Sequence, residues 1–156
     1  MKKSLSLLLV LALIVGIFAL VGCGGDDEKN ADAVSVAVIV STSFGDLSFN
    51  DSAKEGGEAL KDDLDLNVEY IECNGENYKQ QMMRAADSHD VVVPVGWEFY
   101  EITEVAKEYP DTKFIWIDNV VDGVEQYPNI LCITYAQNEG SFLAGYIASR
   151  MSATGV

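Results

Sequence analysis

The stretch FGDLSFND, residues 44–51, places an aromatic ring among hydrogen-bonding groups between two regular elements. It follows a continuous apolar run rich in valine, which predicts a strand buried on both faces, and precedes a helix predicted over residues 52–64. Phe49 can stack on a planar ligand, a contact that contributes about 1–3 kcal/mol per base in nucleic-acid complexes. Asn50 offers a donor and an acceptor to a heterocycle edge, and the Asp46 carboxylate can accept charge-assisted hydrogen bonds.

Two further loops carry polar or flat side chains where predicted strands end. The third strand runs into PVGWE and the fourth into WIDN. In an open α/β sheet, ligands bind outside the carboxyl ends of the strands, at the point where the strand order reverses. Strands one, three and four are predicted neighbours, so the candidates are expected at one rim: Asp46, Phe49, Asn50, Gly96, Trp97 and Asp118.

Each candidate also has a purely structural interpretation. Phe49 can be a hydrophobic staple in front of the helix, and Asp46 and Asn50 can be turn or cap residues. Asp118 can cap its own loop, and Gly96 can be present only for the geometry of its turn. The tryptophan that follows Gly96 is more often a packing residue than a ligand contact.

The rest of the chain alternates strand and helix signals from residue 34 to residue 151. This rhythm predicts a parallel sheet of five strands covered by helices on both faces. Right-handed crossovers make it a doubly wound α/β domain. The final predicted helix, residues 138–151, is followed by SATGV, where a sixth strand would normally come.

The N-terminal segment is predicted to be an export signal. Lys2 and Lys3 precede an uncharged apolar run, and small residues precede Cys23 in LVGC. This arrangement resembles the lipobox of bacterial lipoproteins, which implies a signal peptide over residues 1–22 and a lipidated Cys23. Residues 23–33 are then a flexible acidic linker, and the protein is anchored on the extracytoplasmic face of the membrane. An ordinary cleavage site or a retained transmembrane anchor is the alternative.

Composition and charge exclude several classes of function. The chain is 49% hydrophobic with a formal net charge of −15, which argues against a nucleic-acid partner. No phosphate-binding loop or G-x-S-x-G motif is present, so neither a cofactor nor enzymatic activity is predicted. Cys73 and Cys132 lie in strand-like runs without a CxxC, which disfavours zinc. Two free thiols are favoured over a disulfide, which an exported protein also allows.

Four segments together resemble one protein family. GDLSFNDSAKEG resembles the D-x-S-F-N-x-S-A-x-x-G signature of the basic membrane protein family, and VVVPVGWEF, FIWIDNVV and PNILCITYAQNEGSFLAGYIAS follow in the family's order. These lipoproteins are substrate-binding proteins of ABC transporters, similar to purine nucleoside receptors. The resemblance implies that residues 34–156 are the N-terminal lobe of a type I periplasmic-binding-protein fold. It also implies a nucleoside ligand between two lobes and an ABC permease as partner.

The resemblance further implies roles for individual residues. Phe49 would stack on the base and Asn50 would hydrogen-bond to it, with Asp46 at the base edge. Asp118 would hold the ribose hydroxyls, and Gly96 would let the backbone approach the ligand.

This sequence also departs from the family pattern. Leu47 stands where many members have lysine, and Ser41 and Thr42 stand where many have aspartate, which leaves the base preference open. The family's second lobe, with the aromatic residue that completes the stack, has no counterpart here. A surface lipoprotein that acts through protein contacts is therefore an alternative, and an exported nucleoside hydrolase is a third, weaker hypothesis.

Overall fold

A computed structural model describes residues 33–154. The strands are β1 (Ser35–Val40), β2 (Asn67–Glu72), β3 (Val91–Val95), β4 (Lys113–Ile117) and β5 (Ile130–Ile133). The helices are α1 (Phe49–Leu64), α2 (Tyr78–Ala86), α3 (Ile102–Glu108) and α4 (Gln137–Met151), with 3₁₀ turns at Trp97–Phe99 and Val124–Gln126.

The five strands form one parallel sheet in the order β2-β1-β3-β4-β5. The chain leaves β1 toward one edge to make β2 and then returns past β1 to make β3. The gap between the loops that follow β1 and β3 is therefore the switch point where such sheets bind ligands. The predicted doubly wound α/β class is confirmed.

One face of the sheet carries most of the core. Ile39, Val92 and Phe114 from neighbouring strands are fully buried there. They pack in one cluster with Met82 of α2 and Ile102 of α3. Strand residues alternate between the two faces of a sheet, so each strand contributes every second side chain to this cluster.

The opposite face is covered mainly by α1. Val38, Val40 and Val95 are buried on this side, and Tyr70 of β2 packs against them. α1 approaches β2 closely at Gly57, where a Cβ atom would lie 2.6 Å from the Tyr70 hydroxyl oxygen. A larger residue at this position would push α1 away from the sheet.

The last helix does not complete this face. No residue of α4 is buried, and Leu131 on the neighbouring strand β5 is exposed as well. Helices lie on both faces of the sheet, as predicted, but part of this face near β4 and β5 stays open. The apolar sequence of α4 predicts a helix correctly, but it does not say which surface that helix packs against.

Two predicted helix boundaries are wrong. α1 begins at Phe49 rather than Ser52, and the Ser52 hydroxyl donates to the Ser48 carbonyl (2.8 Å) within the first turn. Phe49 and Asn50 therefore belong to the helix and not to the loop before it. The apolar pattern of EFYEITEVAKEYP, residues 98–110, predicts a single helix, but the structure has a 3₁₀ turn there followed by the shorter α3.

Both cysteines in residues 33–154 are free, as predicted. Cys73 is buried, which raises the pKa of its thiol to about 11, whereas Cys132 is half-buried. The signal peptide, Cys23 and most of the linker lie outside the described residues. Within residues 33–154, no helix combines the length and apolar character needed to cross a bilayer.

Candidate functional site

The loops that follow β1, β3 and β4 are tied together at the carboxyl edge of the sheet. The Gly96 N–H donates to the Ile117 carbonyl (3.2 Å), which joins the ends of β3 and β4. The Ser41 hydroxyl donates to the Glu98 carboxylate (2.9 Å), which joins the end of β1 to the 3₁₀ turn. These contacts define the rim on which the candidate residues lie.

The Asp46 carboxylate organises the first loop. It accepts hydrogen bonds from the backbone N–H groups of Ser48 (2.9 Å), Asn50 (3.0 Å) and Asp51 (3.1 Å). The Asn50 N–H contributes most to lowering the pKa of the Asp46 carboxyl below its ordinary value. These donors lie at the N-terminus of α1, where backbone N–H groups lack partners within the helix. This geometry matches the cap interpretation of Asp46.

A second carboxylate fixes the other half of the same loop. Asp51 accepts from the N–H groups of Gly45 (2.7 Å) and Leu47 (2.8 Å). Leu47 has a positive φ of 51°, a conformation that a non-glycine residue rarely adopts. The two acids of the FGDLSFND stretch therefore hold the backbone that presents Phe49.

Asn50 supports the loop from inside. Its side chain is buried, and its amide nitrogen donates to the Thr42 hydroxyl (3.0 Å) and to the Ser43 carbonyl (2.9 Å). Both amide hydrogens are therefore engaged by the loop that follows β1. Its side-chain oxygen is the group available for a further contact.

Phe49 and Asp118 line the same groove. The Phe49 side chain is 38% exposed on the first turn of α1. Asp118 directly follows β4 and has a φ of 61°, and its N–H donates to the Ile133 carbonyl (2.8 Å). One Asp118 carboxylate oxygen accepts from the Gln137 side chain (2.6 Å). A ring and a carboxylate thus line one groove.

The groove has a volume of about 730 Å³ and runs between α1 and the open half of the sheet. Its walls are almost wholly apolar, and its polar groups gather at the rim. Lining side chains include Val38, Val93, Ile115 and Ile117 from the strands and Ala53 and Leu60 from α1. Apolar walls with a few polar groups at one end are typical of small-molecule sites.

Of the six candidates, Phe49 and Asp118 line this groove, whereas Asp46, Asn50, Gly96 and Trp97 do not. Gly96 is buried with a φ of 104°, and a Cβ atom there would lie 2.6 Å from a Glu98 carboxylate oxygen. Its carbonyl accepts from the Trp116 indole N–H (2.7 Å). The positive φ and the close approach of Glu98 explain why this residue is glycine. The neighbouring Trp97 is 68% exposed.

Tyr135 and Gln137 also line the groove at the rim. Neither residue is among the sequence-derived candidates, because they lie beyond the end of β5 and carry no periodic signal. They are part of the fourth family-like segment, ILCITYAQNEG. No cluster of three or more possible metal-ligating side chains is found in the described part of the chain.

We predict that Asp46→Asn lowers the melting temperature at pH 7, because a neutral amide cannot replace a carboxylate that accepts three N–H bonds. The folded-state pKa of Asp46 is lowered, so its stabilisation is complete above the ordinary value of 3.8 and is lost as pH falls through the lowered pKa. The variant should therefore show a weaker loss of stability from about pH 4 downward. Thermal melting across pH measures this. Asp62→Asn, exposed on α1, is the control, and equal behaviour of the two variants would contradict the cap.

Solved structures define the class of this fold. An ABC transporter solute-binding protein from Aeropyrum pernix K1 superposes with a TM-score of 0.66 at 29% identity, covering 74% of this chain and 32% of that chain. An ABC transporter solute-binding protein from Conexibacter woesei DSM 14684 superposes with a TM-score of 0.61 at 31% identity, covering 75% of this chain and 40% of that chain. The fold is thus that of a lobe of ABC solute-binding proteins.

Residues 33–156 match the family described as ABC transporter substrate-binding protein PnrA-like, and the chain belongs to this family. Basic membrane protein A of Borreliella burgdorferi is 28% identical over 99% of this chain and 45% of its own length. An uncharacterised lipoprotein of Pyrococcus furiosus is 34% identical over 97% of this chain and 38% of its own length. The chain therefore spans less than half the length of these relatives. The family is one of binding proteins rather than enzymes.

Proposed function

We propose that this protein is a lipid-anchored, extracytoplasmic solute-binding component of an ABC transporter, and that its solute is a nucleoside, with a purine base favoured. The observation that carries the proposal is that Phe49 and Asp118 line the same apolar groove. An exposed ring and a carboxylate suit a ligand with one flat apolar part and one part rich in hydroxyl groups.

In the proposed complex, Phe49 stacks on the base. The side-chain oxygen of Asn50 accepts a hydrogen bond from the edge of the base. Asp46 acts through the backbone: it holds the first turn of α1, from which both contacts are made. The Asp118 carboxylate accepts hydrogen bonds from ribose hydroxyls. Gly96 lets the backbone approach the ligand, and the exposed Trp97 beside it contributes a further ligand contact.

The chain matches less than half the length of each relative, and the rest of the proposal takes this into account. Residues 34–156 act as the N-terminal lobe of a two-lobed protein, and the nucleoside lies between the lobes. A single lobe supplies one stacking face and one set of hydrogen bonds, so we expect weak binding by this chain alone. An ABC permease receives the nucleoside from the complete cleft.

We predict that Phe49→Ala weakens inosine binding about 5- to 150-fold, because it removes a stacking contact of roughly 1–3 kcal/mol. NMR titration measures this on the chain itself, since it detects weak binding. Phe49→Tyr keeps the ring and should bind normally, as should Leu47→Ala, which alters an exposed side chain of the same loop. Unchanged affinity in Phe49→Ala would show that the ring does not stack.

We predict that Asp118→Asn weakens inosine binding at least about tenfold and leaves hypoxanthine nearly unaffected, because charge-assisted bonds to hydroxyls contribute about 1.5–3 kcal/mol. Asparagine tolerates the left-handed backbone at this position, so the loop is kept. Asp122→Asn, exposed in the same loop, is the control. A ribose role is excluded if both ligands lose affinity equally.

The lipid anchor is proposed from Cys23 and from the names of relatives. The aligned Pyrococcus furiosus protein is called a lipoprotein, and the alignment covers 97% of this chain, which includes the region of Cys23. Several acyl chains on one cysteine give firm membrane attachment.

We predict that Cys23→Ala abolishes labelling by radioactive palmitate and transfers the protein from the membrane fraction to the soluble one. The modification requires the thiol, whereas Cys132→Ala leaves that thiol in place and should keep both the label and the membrane location. Persistent labelling of Cys23→Ala would refute lipidation at this residue.

A further inference from the structure

The Asp118 carboxylate is paired with an amide rather than with a cation. The side-chain nitrogen of Gln137 donates to one of its oxygens (2.6 Å). Both residues line the groove, and among the described lining residues Asp118 alone is charged. An amide donor leaves the negative charge of a carboxylate in place, whereas a lysine or arginine partner would neutralise it. The groove therefore keeps a charged acceptor for hydroxyl groups of a solute.

The two partners are held by different elements of the fold. Asp118 directly follows β4, is half-buried, and donates its N–H to the Ile133 carbonyl (2.8 Å). Gln137 is the first residue of α4, and its N–H donates to the Tyr135 carbonyl (2.8 Å). Backbone contacts thus fix the base of each side chain. The bond between the side chains then fixes the rotation of the carboxylate, which its two side-chain torsions would otherwise leave open.

The orientation of the Gln137 amide follows from its partner. An ionised carboxylate only accepts hydrogen bonds, so the NH₂ end of the amide must face Asp118. The side-chain oxygen of Gln137 then lies at the other end of the amide, where it is an acceptor. Neither this oxygen nor the second Asp118 oxygen accepts a hydrogen bond from another described residue. Two acceptor oxygens therefore flank one hydrogen bond at the groove.

Two such acceptors match a pair of neighbouring hydroxyl groups. Each hydroxyl has one hydrogen to donate, and the 2′- and 3′-hydroxyls of ribose are on adjacent carbon atoms. A 2′-deoxyribose leaves one acceptor without a donor, and an acceptor that is desolvated without a partner costs free energy. Sites built to bond a hydroxyl group discriminate strongly against an analogue that lacks it.

We propose that Gln137 positions the Asp118 carboxylate, and that the two side chains together hold neighbouring hydroxyl groups of the solute. The inference rests on the nucleoside-binding function proposed above and narrows it. The solute is a ribonucleoside, and 2′-deoxyribonucleosides are rejected. Gln137 is thus a positioning residue for Asp118 and a specificity-determining residue for the sugar.

The ratio of two affinities tests the inference. Inosine, 2′-deoxyinosine and hypoxanthine are titrated into the full chain and followed by NMR. We expect inosine to bind at least about tenfold more tightly than 2′-deoxyinosine, and Gln137→Met to reduce this ratio to about two. Methionine has nearly the length of glutamine but lacks its amide donor and acceptor. Hypoxanthine has no sugar and should bind equally to both proteins.

An equal loss of affinity for both nucleosides in Gln137→Met would indicate a merely structural role and would overturn the inference. Asn138→Met is the matched control, because it removes an amide from the next residue of α4, which is exposed and does not line the groove. This variant should keep the wild-type ratio. A wild-type chain that binds neither nucleoside would instead refute the proposed function, and the inference with it, so the two failures are distinct.

A pH profile gives a second readout. Gln137→Glu places a second carboxylate against Asp118, and two carboxylates in contact share one proton because both cannot be ionised without cost. The inosine affinity of this variant should rise at least about fivefold from about pH 7.5 to about pH 5, because the shared proton restores a donor toward Asp118. Tyr135 in the lining and Glu139 in the first turn of α4 are present in both proteins. Identical pH profiles of variant and wild type would contradict the contact between the two side chains.

Discussion

The pairing of the Asp46 carboxylate with three backbone N–H groups is the contact on which the candidate site depends. A helix N-terminus leaves several N–H groups without partners, and a buried or constrained loop must satisfy them. Asp46 does so from two residues before the helix N-cap, Ser48. Because the bonds reach the first turn of α1, they fix where Phe49 and Asn50 point. The loop gains a defined conformation, and the ring gains a defined position beside the groove.

The sequence predicted the sheet well because β1, β3 and β4 are short runs of mostly β-branched or aromatic residues, several of them buried. The start of α1 was predicted too late. Ser52 and Glu55 fit the pattern of a capping box, whereas a carboxylate from outside the helix provides the cap. Which N–H groups a carboxylate reaches across a loop depends on the backbone conformation of that loop. The spacing of residue types in the sequence does not reveal this conformation.

Only part of the candidate site could be predicted from the sequence, again because backbone conformation decides the rest. Chain topology brings the ends of β1, β3 and β4 together, so a shared rim followed from the element order. Which side chains reach the groove depends on backbone angles at the strand ends. Gly96 turns inward with a positive φ, and Trp97 is carried outward by the 3₁₀ turn. Tyr135 reaches the groove from the segment after β5, and no periodic pattern distinguishes it.

Asp118 links the end of β4 to β5 and to the start of α4. Its carboxylate has two oxygens with about four acceptor positions, and the Gln137 side chain occupies one of them. Acceptor positions therefore remain for ligand hydroxyl groups while the start of α4 stays attached. The N–H of Asp118 is bonded to β5, so the carboxylate is held at the rim from the sheet side as well. Asp118 can thus hold the start of α4 and still offer acceptor positions at the rim of the groove.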